Sequence, residues 1–139
     1  MKNIESKEEV EATGKNKVKV IYKMKNVEFK EEVEVIGEKK VKVIAKFDTG
    51  ANMTSVDLGT AAKARLGPIV KTSRVTSSHG STRRPVVRLN VKIRGKVYST
   101  LANVFDRGHS TCKLLIGRNL MRNRFTVKLS EEEGKNEKM

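Results

Sequence analysis

Residues 41–50 have the sequence VKVIAKFDTG, and residues 113–121 have the sequence KLLIGRNLM. In both stretches an apolar or alternating run, typical of a β-strand, ends at a glycine-containing polar turn. The first turn, Asp48-Thr49-Gly50, presents a carboxylate at the end of a strand, and Gly50 lets the backbone turn tightly beside it. These two stretches lie about sixty-five residues apart and decide both the predicted fold and the predicted site.

Short strands and turns surround the two stretches. Residues 57–66 are rich in alanine and predict a helix that begins at Asp57 as its N-cap and stops before Gly67-Pro68. A polar turn is predicted over 77–82 and a single helical turn over 118–123. Strands are predicted over 69–76, 85–94, 97–105, 113–117 and 124–129. The sum is a mainly β protein, a small barrel or folded sheet with one short helix and one helical turn.

An internal repeat precedes the Asp48 turn. Residues 8–24 and 31–47 are identical at eleven of seventeen positions when they are aligned with a shift of 23 residues. Each copy has two alternating runs on either side of a glycine, which predicts a β-hairpin. We therefore divide the chain into an extra N-terminal hairpin over 1–29, one domain over 30–130, and a charged tail over 131–139 that we expect to be disordered.

Positive charge dominates the composition. The chain has 30 Lys and Arg against 16 Asp and Glu, a net charge of +14. Residues 58–130 contain sixteen of the basic residues and a single acid, Asp106. Along 83–96 most basic residues share one parity, so we expect them on one face of a hairpin. This pattern fits a solvated face, contact with RNA or the ribosome, or a preference for acidic peptides, and all three stay open.

Composition and motifs exclude several classes of protein. No apolar run is long enough for a transmembrane helix, and the N-terminal residues lack the apolar core of a secretory signal, so we expect no membrane partner. Cys112 is the single cysteine, which favours a reducing compartment, the cytoplasm. His109 and Cys112 are at most half of a zinc site, so we expect no metal. Glycine motifs for nucleotides are absent, and we expect no cofactor.

The two opening stretches and the segments between them resemble the aspartic proteases of the retropepsin type. The resemblance covers about residues 30–130 and is greatest to the prokaryotic and archaeal family labelled ATP-dependent zinc proteases. The matching pieces are AKFDTGANMTSVD (45–57), AAKARLGPIV (61–70), RRPVVRLNVKIRGKVY (83–98), Asp106-Arg107, LLIGRNLM (114–121) and RFTVKLS (124–130). The resemblance implies a small closed β-barrel of the retropepsin type and aspartic endopeptidase activity on a peptide or protein substrate.

The same resemblance implies roles for three groups of residues. The catalytic loop consists of Asp48, Thr49 and Gly50, with Asp48 activating water. The turn after the strand over 69–76 corresponds to a flap that closes over the substrate, and the implied substrate or flap residues are Ala51, Ser77, Ser78, His79 and Gly80. The end of the second stretch supports the catalytic loop from below, through Leu115, Ile116, Gly117 and Arg118.

Retropepsin chemistry needs two aspartates, and this chain has one Asp-Thr-Gly. One carboxylate takes a proton from water while the other, protonated, hydrogen-bonds the scissile carbonyl. In the first copy of the repeat, residues 25–27 (Lys-Asn-Val) align with the Asp-Thr-Gly, so that copy supplies no second acid. We therefore expect a homodimer with one Asp48 from each subunit at its two-fold axis.

Two departures from the family pattern bear on function. Retroviral enzymes usually have an acid two residues after the glycine, where this chain has Asn52, so Arg118 needs another partner, and Asp106 is the candidate by elimination. Arg83 and Arg84 make the base of the flap basic, which favours acidic peptides. The alternative to an active protease is a catalytically silent module of the same fold that binds RNA, the ribosome or an acidic protein through its basic surface.

Overall fold

The computed structural model of the protein describes residues 9–13, 17–21, 24–78, 80–122 and 124–128. Eleven strands and two short helices lie within these ranges. In chain order they are β1 (Glu9–Thr13), β2 (Lys17–Ile21), β3 (Lys25–Val27), β4 (Lys30–Ile36), β5 (Lys40–Phe47), β6 (Thr54–Asp57), α1 (Leu58–Ala64), β7 (Ile69–Ser77), β8 (Gly80–Ile93), β9 (Lys96–Phe105), β10 (Leu114–Ile116), α2 (Arg118–Met121) and β11 (Phe125–Val127).

Seven of the strands form one sheet that closes on itself. Their order is β4-β5-β10-β6-β9-β8-β7, and a further antiparallel pairing of β4 with β8 closes the first six into a barrel. The short strand β10 lies between β5 and β6, parallel to the first and antiparallel to the second. The predicted fold class is confirmed: the protein is mainly β, with a closed barrel, one short helix and one helical turn.

The barrel interior is filled by the apolar residues that alternate along the strands. Phe47, Leu89 and Leu114 are fully buried there. Phe125 of β11 adds an aromatic contact from outside the barrel sheet, because its ring centroid lies 5.5 Å from that of Phe47 and 4.9 Å from that of Tyr98. Such offset aromatic pairs add stabilisation beyond the area that they bury.

The helix α1 starts where the sequence predicts and ends earlier. Asp57 is its N-cap, with its side chain accepting from the Thr60 N–H. The helix stops at Ala64 because Arg65 takes the left-handed conformation, with φ of 58°. The predicted stop at Gly67 was therefore wrong by two residues. The Arg65 N–H donates to Ala61 O and Ala62 O, so a residue other than glycine caps the C-terminal end of this helix.

The two copies of the repeat form hairpins with the same register. β1 pairs with β2 from Glu9↔Ile21 to Thr13↔Lys17, and β4 pairs with β5 at the positions 23 residues later.

The short strand β3 pairs in parallel with β11, and its Val27 is buried in the main core. The division at residue 30 stays a prediction, and the tail over 131–139 lies outside the described residues. Within the described ranges, no helix has the length and apolar character needed to span a membrane.

Candidate active site

The Asp48 loop follows directly from β5 and is held by backbone hydrogen bonds. The Asp48 N–H donates to Ile116 O at 2.9 Å, which ties the start of the loop to the end of β10. The Gly50 N–H donates to Asp48 Oδ1, also at 2.9 Å, so the carboxylate is oriented by its own turn. The Ala51 N–H closes the turn on Asp48 O. The loop thus presents a half-buried carboxylate on a rigid backbone.

Gly117 lies beneath this loop at a very close approach. A Cβ atom at this position would lie 2.6 Å from the carbonyl carbon of Met53, so a larger residue would displace the loop backbone. The Gly117 N–H donates to Thr54 Oγ1 at 3.1 Å. The predicted supporting residues Leu115, Ile116 and Gly117 do lie next to the Asp48 loop, on β10 and at its end.

Asn119 is a second support that the sequence analysis did not single out. Its Oδ1 accepts from the N–H and the hydroxyl of Thr54, at 2.9 and 2.8 Å. Its Nδ2 donates to Thr100 Oγ1 and to Leu101 O on β9. One amide therefore joins α2, β6 and β9. The signal in the sequence was the Asn that follows Arg118, but its partners depend on tertiary contacts.

Arg118 binds the Asp48 loop and not Asp106. Its guanidinium donates to Thr49 O at 2.8 Å and to Asn52 Oδ1. The prediction that Asp106 would be its partner was wrong, because the amide oxygen of Asn52 accepts the bond that an acid would accept there. Asp106 instead accepts from the Gly108 N–H in a local turn.

Asp57 has a structural position below the site. It is buried, and its Oδ1 accepts from the Arg107 N–H at 2.7 Å while its Oδ2 caps α1. Burial by itself raises the pKa of Asp57, but the hydrogen bonds from Arg107 and Thr60 and the charge of Lys113 outweigh it. They hold the pKa of this carboxyl below its ordinary value. Asp57 is therefore an ionised cap and not a second catalytic acid.

The predicted flap residues lie at the tip of the β7–β8 hairpin. Ser77 and Gly80 form the last pair of the two strands, and Gly80 has φ of 113°. Ser78 lies in the connection, and His79 lies outside the described residues. The turn is shorter than the predicted 77–82, since β8 begins at Gly80 and continues to Ile93. Ala51 lies in the Asp48 loop and its carbonyl accepts from the Arg118 N–H.

A row of paired residues, here called the outer-face row, crosses the outer face of the barrel from β5, the strand before Asp48, to β8. Its members are Lys46, Leu115, Ser55, Asn103 and Val86. Leu115 pairs with Lys46 on one side and Ser55 on the other. Ser55 pairs with Asn103, and Asn103 pairs with Val86. Directly paired residues have their side chains on the same face of a sheet. Ser55 and Asn103 are buried there, at 4% and 3% exposure.

The basic residues over 83–96, predicted to share one face, have different surroundings in the structure. Arg84 turns onto the outer-face row, with its guanidinium 3.8 Å from the Phe105 ring centroid. Arg94 is paired with Glu31 at 2.6 Å. Arg88 and Lys92 are exposed on β8. The free positive charge on this face is therefore smaller than the sequence suggests.

An apolar groove of about 400 Å³ opens beside Thr49 and Arg118. Its apolar wall comes from Met121 of α2, from Phe125 and Val127 of β11, and from Met24, which is 49% exposed. An exposed apolar groove of this kind next to the Asp48 loop is typical of an interaction surface.

The residues near His109 do not fit a zinc site. Cys112 is buried, and its N–H and carbonyl both bond to the hydroxyl of Ser110. Among the described residues, no group of three His, Cys, Asp or Glu side chains is placed to hold a metal ion.

Comparison with known proteins gives matches in structure alone. No protein-family model and no curated protein matches the chain. The crystal structure of Lpg0085 from Legionella pneumophila, a protein described as of unknown function (DUF785), matches with a TM-score of 0.54 and 20% identity, over 76% of this chain and 95% of that one. The EIAV protease bound to the inhibitor HBY-793 matches with a TM-score of 0.54 and 16% identity, over 64% of this chain and 80% of that one.

The chain has a retropepsin-like fold. A third match, the foamy viral protease-reverse transcriptase in complex with an RNA/DNA hybrid, has a TM-score of 0.54 and 19% identity. It covers 78% of this chain and 14% of the viral chain. At these identities the likeness extends to the fold, and the predicted retropepsin-type barrel is confirmed at that level.

Proposed function

We propose that the protein is an aspartic endopeptidase whose active site is completed by a second copy of the chain. The observation that carries the proposal is the Asp48 loop, in which a carboxylate is oriented by the Gly50 N–H and anchored to Ile116 and Arg118. Elements from both halves of the barrel converge on this loop, which is an arrangement that positions a catalytic group.

The chemistry follows from two such carboxyl groups placed together. At close range two carboxyls share one proton, because both cannot be ionised at low cost. The ionised Asp48 takes a proton from a water molecule, and the water oxygen attacks the carbonyl carbon of the peptide. The protonated Asp48 of the partner donates a hydrogen bond to the carbonyl oxygen. When the C–N bond breaks, the leaving nitrogen takes a proton from the carboxyl that had accepted one from water.

The need for a second copy rests on the distribution of aspartates. The chain has Asp48, Asp57 and Asp106. Asp57 caps α1 and Asp106 lies in its own turn, so neither can face Asp48 within one chain. The apolar groove beside Thr49 supports the same conclusion, since burying Met24 and its neighbours is favourable by about 25 cal/mol per Å² of apolar surface.

The test is the substitution Asp48→Asn, with Asp106→Asn as the matched control. We expect Asp48→Asn to abolish cleavage of a peptide library, measured by mass spectrometry, and Asp106→Asn to retain it. Cleavage by the Asp48→Asn variant at the rate of the unsubstituted protein would exclude the proposal.

The relation to the family labelled ATP-dependent zinc proteases stays a prediction. The described residues do not fit zinc, as His109 and Cys112 have no third ligand nearby.

A second candidate function is binding without catalysis, as a module of the same fold that contacts RNA, the ribosome or an acidic protein. It is favoured by the exposure of Arg88 and Lys92 on β8. A steep decrease in RNA affinity with added salt, unchanged by Asp48→Asn, would support it. Absence of any RNA binding at low salt would remove the RNA form of this candidate.

A further inference from the structure

The outer-face row between the Asp48 strand and the β7–β8 hairpin contains an unusual set of polar residues. The Ser55 hydroxyl donates to Asn103 Oδ1 at 2.8 Å, and Arg84 Nη1 donates to the same oxygen at 3.2 Å. Buried polar groups on a sheet face cost free energy unless they are satisfied. Here three polar side chains satisfy one another and hold one guanidinium in a defined place.

Arg84 is held by contacts that do not neutralise it. Its guanidinium stacks on Phe105 and bonds to Asn103 and to Thr82, all of them uncharged. Among the described residues it forms no ion pair, whereas Arg94, in the turn after the same strand, pairs with Glu31. Desolvation, and after it the positive charge of Arg107, hold the pKa of Arg84 below its ordinary value. A second positive charge nearby makes the place more favourable for an anion.

Arg84 lies on the same face of the sheet as the outer-face row, which begins two residues before Asp48. It lies two residues before Val86 on β8, and residues two apart on a strand share a face. Val86 is the end of the row that begins with Lys46, two residues before Asp48. Arg84 pairs with Ser73 of β7, in the body of the hairpin whose tip is the predicted flap. Its neighbour Arg83 faces the other way and bonds to Thr72.

We propose that Arg84, supported by Asn103 and Ser55, binds an acidic side chain of the substrate, so that the protein prefers peptides with Glu or Asp near the cleaved bond. The inference rests on the proposed protease function and names its substrate class. Asn103 on β9 and the Asp48 strand β5 are three strand spacings apart, about 14 Å. That distance equals about four residues of an extended peptide, which places the acidic residue within about four positions of the cleaved bond.

The test uses two peptides that differ by Glu or Gln at one such position, chosen from the cleavage sites of the full-length protein. We expect the full-length protein to cleave the Glu peptide with kcat/KM about tenfold higher, because a charge-assisted bidentate contact is replaced by a neutral one. Arg84→Gln should reduce the ratio to about one, and Arg84→Lys should keep part of it. Arg84→Glu should shift the preference to Lys, which a structural role of Arg84 would not produce.

Arg83→Gln is the matched control, since it removes one positive charge next in sequence but on the opposite face of the hairpin. It should keep the preference for Glu. Loss of the preference in Arg83→Gln as much as in Arg84→Gln would show that net charge, and not the Arg84 position, selects the peptide.

The failure of this inference differs from a failure of the proposed function. Cleavage of both peptides at equal rates would overturn the role of Arg84 and leave the protease intact. If no peptide is cleaved, binding of an extended Glu-containing peptide and of its counterpart with Gln in place of that Glu is measured by fluorescence anisotropy on the Asp48→Asn protein. Tighter binding of the Glu peptide that is lost in the Asp48→Asn, Arg84→Gln double variant supports the inference, and equal binding of both peptides overturns it.

Discussion

Asn119 joins three elements under the Asp48 loop through a single amide. Its oxygen accepts twice from Thr54, and its nitrogen donates to Thr100 and Leu101. Because Thr54 in turn accepts from the Gly117 N–H, the amide is one end of a chain of bonds that reaches the end of β10. Such chains make the loss of one member larger than a single hydrogen bond.

We predict that Asn119→Ala destabilises the protein by about 2 kcal/mol, since several hydrogen bonds are lost and the Thr54 donors lose their acceptor. Urea unfolding followed by circular dichroism measures the change. Asn90→Ala is a control, because Asn90 is an exposed residue of β8 and its truncation should change stability by less than about 0.5 kcal/mol. Equal effects of the two substitutions would contradict the role of Asn119.

Asp57 links stability to pH. Its pKa in the folded protein is lowered, so the carboxylate stabilises the fold above its ordinary pKa, and this contribution is lost as the pH falls through the folded value. We expect Asp57→Asn to be less stable than the unsubstituted protein at pH 7, with a difference that shrinks below about pH 4. Urea unfolding at pH 7, 5 and 3 measures it. A difference that is constant with pH would show that Asp57 acts as a cap without its charge.

At the scale of single residues, the sequence predicted what depends on near neighbours. The Asp57 cap is local, since it bonds to Thr60 three residues later. The bond between Arg118 and Asn52 joins residues 66 positions apart, and the cluster of Ser55, Asn103 and Arg84 depends on strand order. No periodicity or propensity encodes those contacts, because they arise when the barrel closes.

At the scale of elements, β3 and β11 form the least expected part of the fold. The two strands are three residues each and pair in parallel, with Lys25 N–H donating to Arg124 O and Lys128 N–H donating to Val27 O. The repeat predicts an extra N-terminal hairpin over 1–29, and residues 25–27 fall within it. Val27 is buried, and β3 pairs with a strand almost a hundred residues later, so no local signal predicts this pairing.

We predict that deletion of residues 1–23 and deletion of residues 1–29 have different effects. The shorter deletion leaves β3, and the barrel keeps its stability. The longer deletion removes Val27, whose burial alone contributes about 1.5 kcal/mol, and leaves β11 without a partner. Thermal unfolding of the two truncated proteins measures the difference. Equal melting temperatures would favour a domain that begins at residue 30.

At the scale of the whole molecule, the proposed dimer has a measurable statistical consequence. When the unsubstituted protein and Asp48→Asn are mixed in equal amounts and allowed to exchange, about one quarter of the dimers have two intact Asp48 residues. We expect peptide cleavage at about one quarter of the rate of the same total amount of unsubstituted protein. Independent active chains would give about one half.

The control for this mixture is Asp106→Asn. Mixing it with the unsubstituted protein should leave the rate near that of the same total amount of unsubstituted protein, because Asp106 lies outside the proposed dyad.

The sequence alone led to the dimer hypothesis by counting aspartates, since one Asp-Thr-Gly cannot complete a pair. The sequence did not indicate where the partner would dock. The groove beside Thr49 exists only once α2, β11 and Met24 have come together.

The strand β7 is the outermost of the seven-stranded sheet, and among the described strands it pairs with β8 alone. Unpaired strand edges are where proteins aggregate, since one copy can add its edge to that of the next. This edge has exposed positive charges at Lys71 and Arg74. They repel the same edge of another copy and attract a chain of opposite charge. The same positive charges would therefore oppose fibre formation by this protein and favour the addition of an acidic peptide as a new strand.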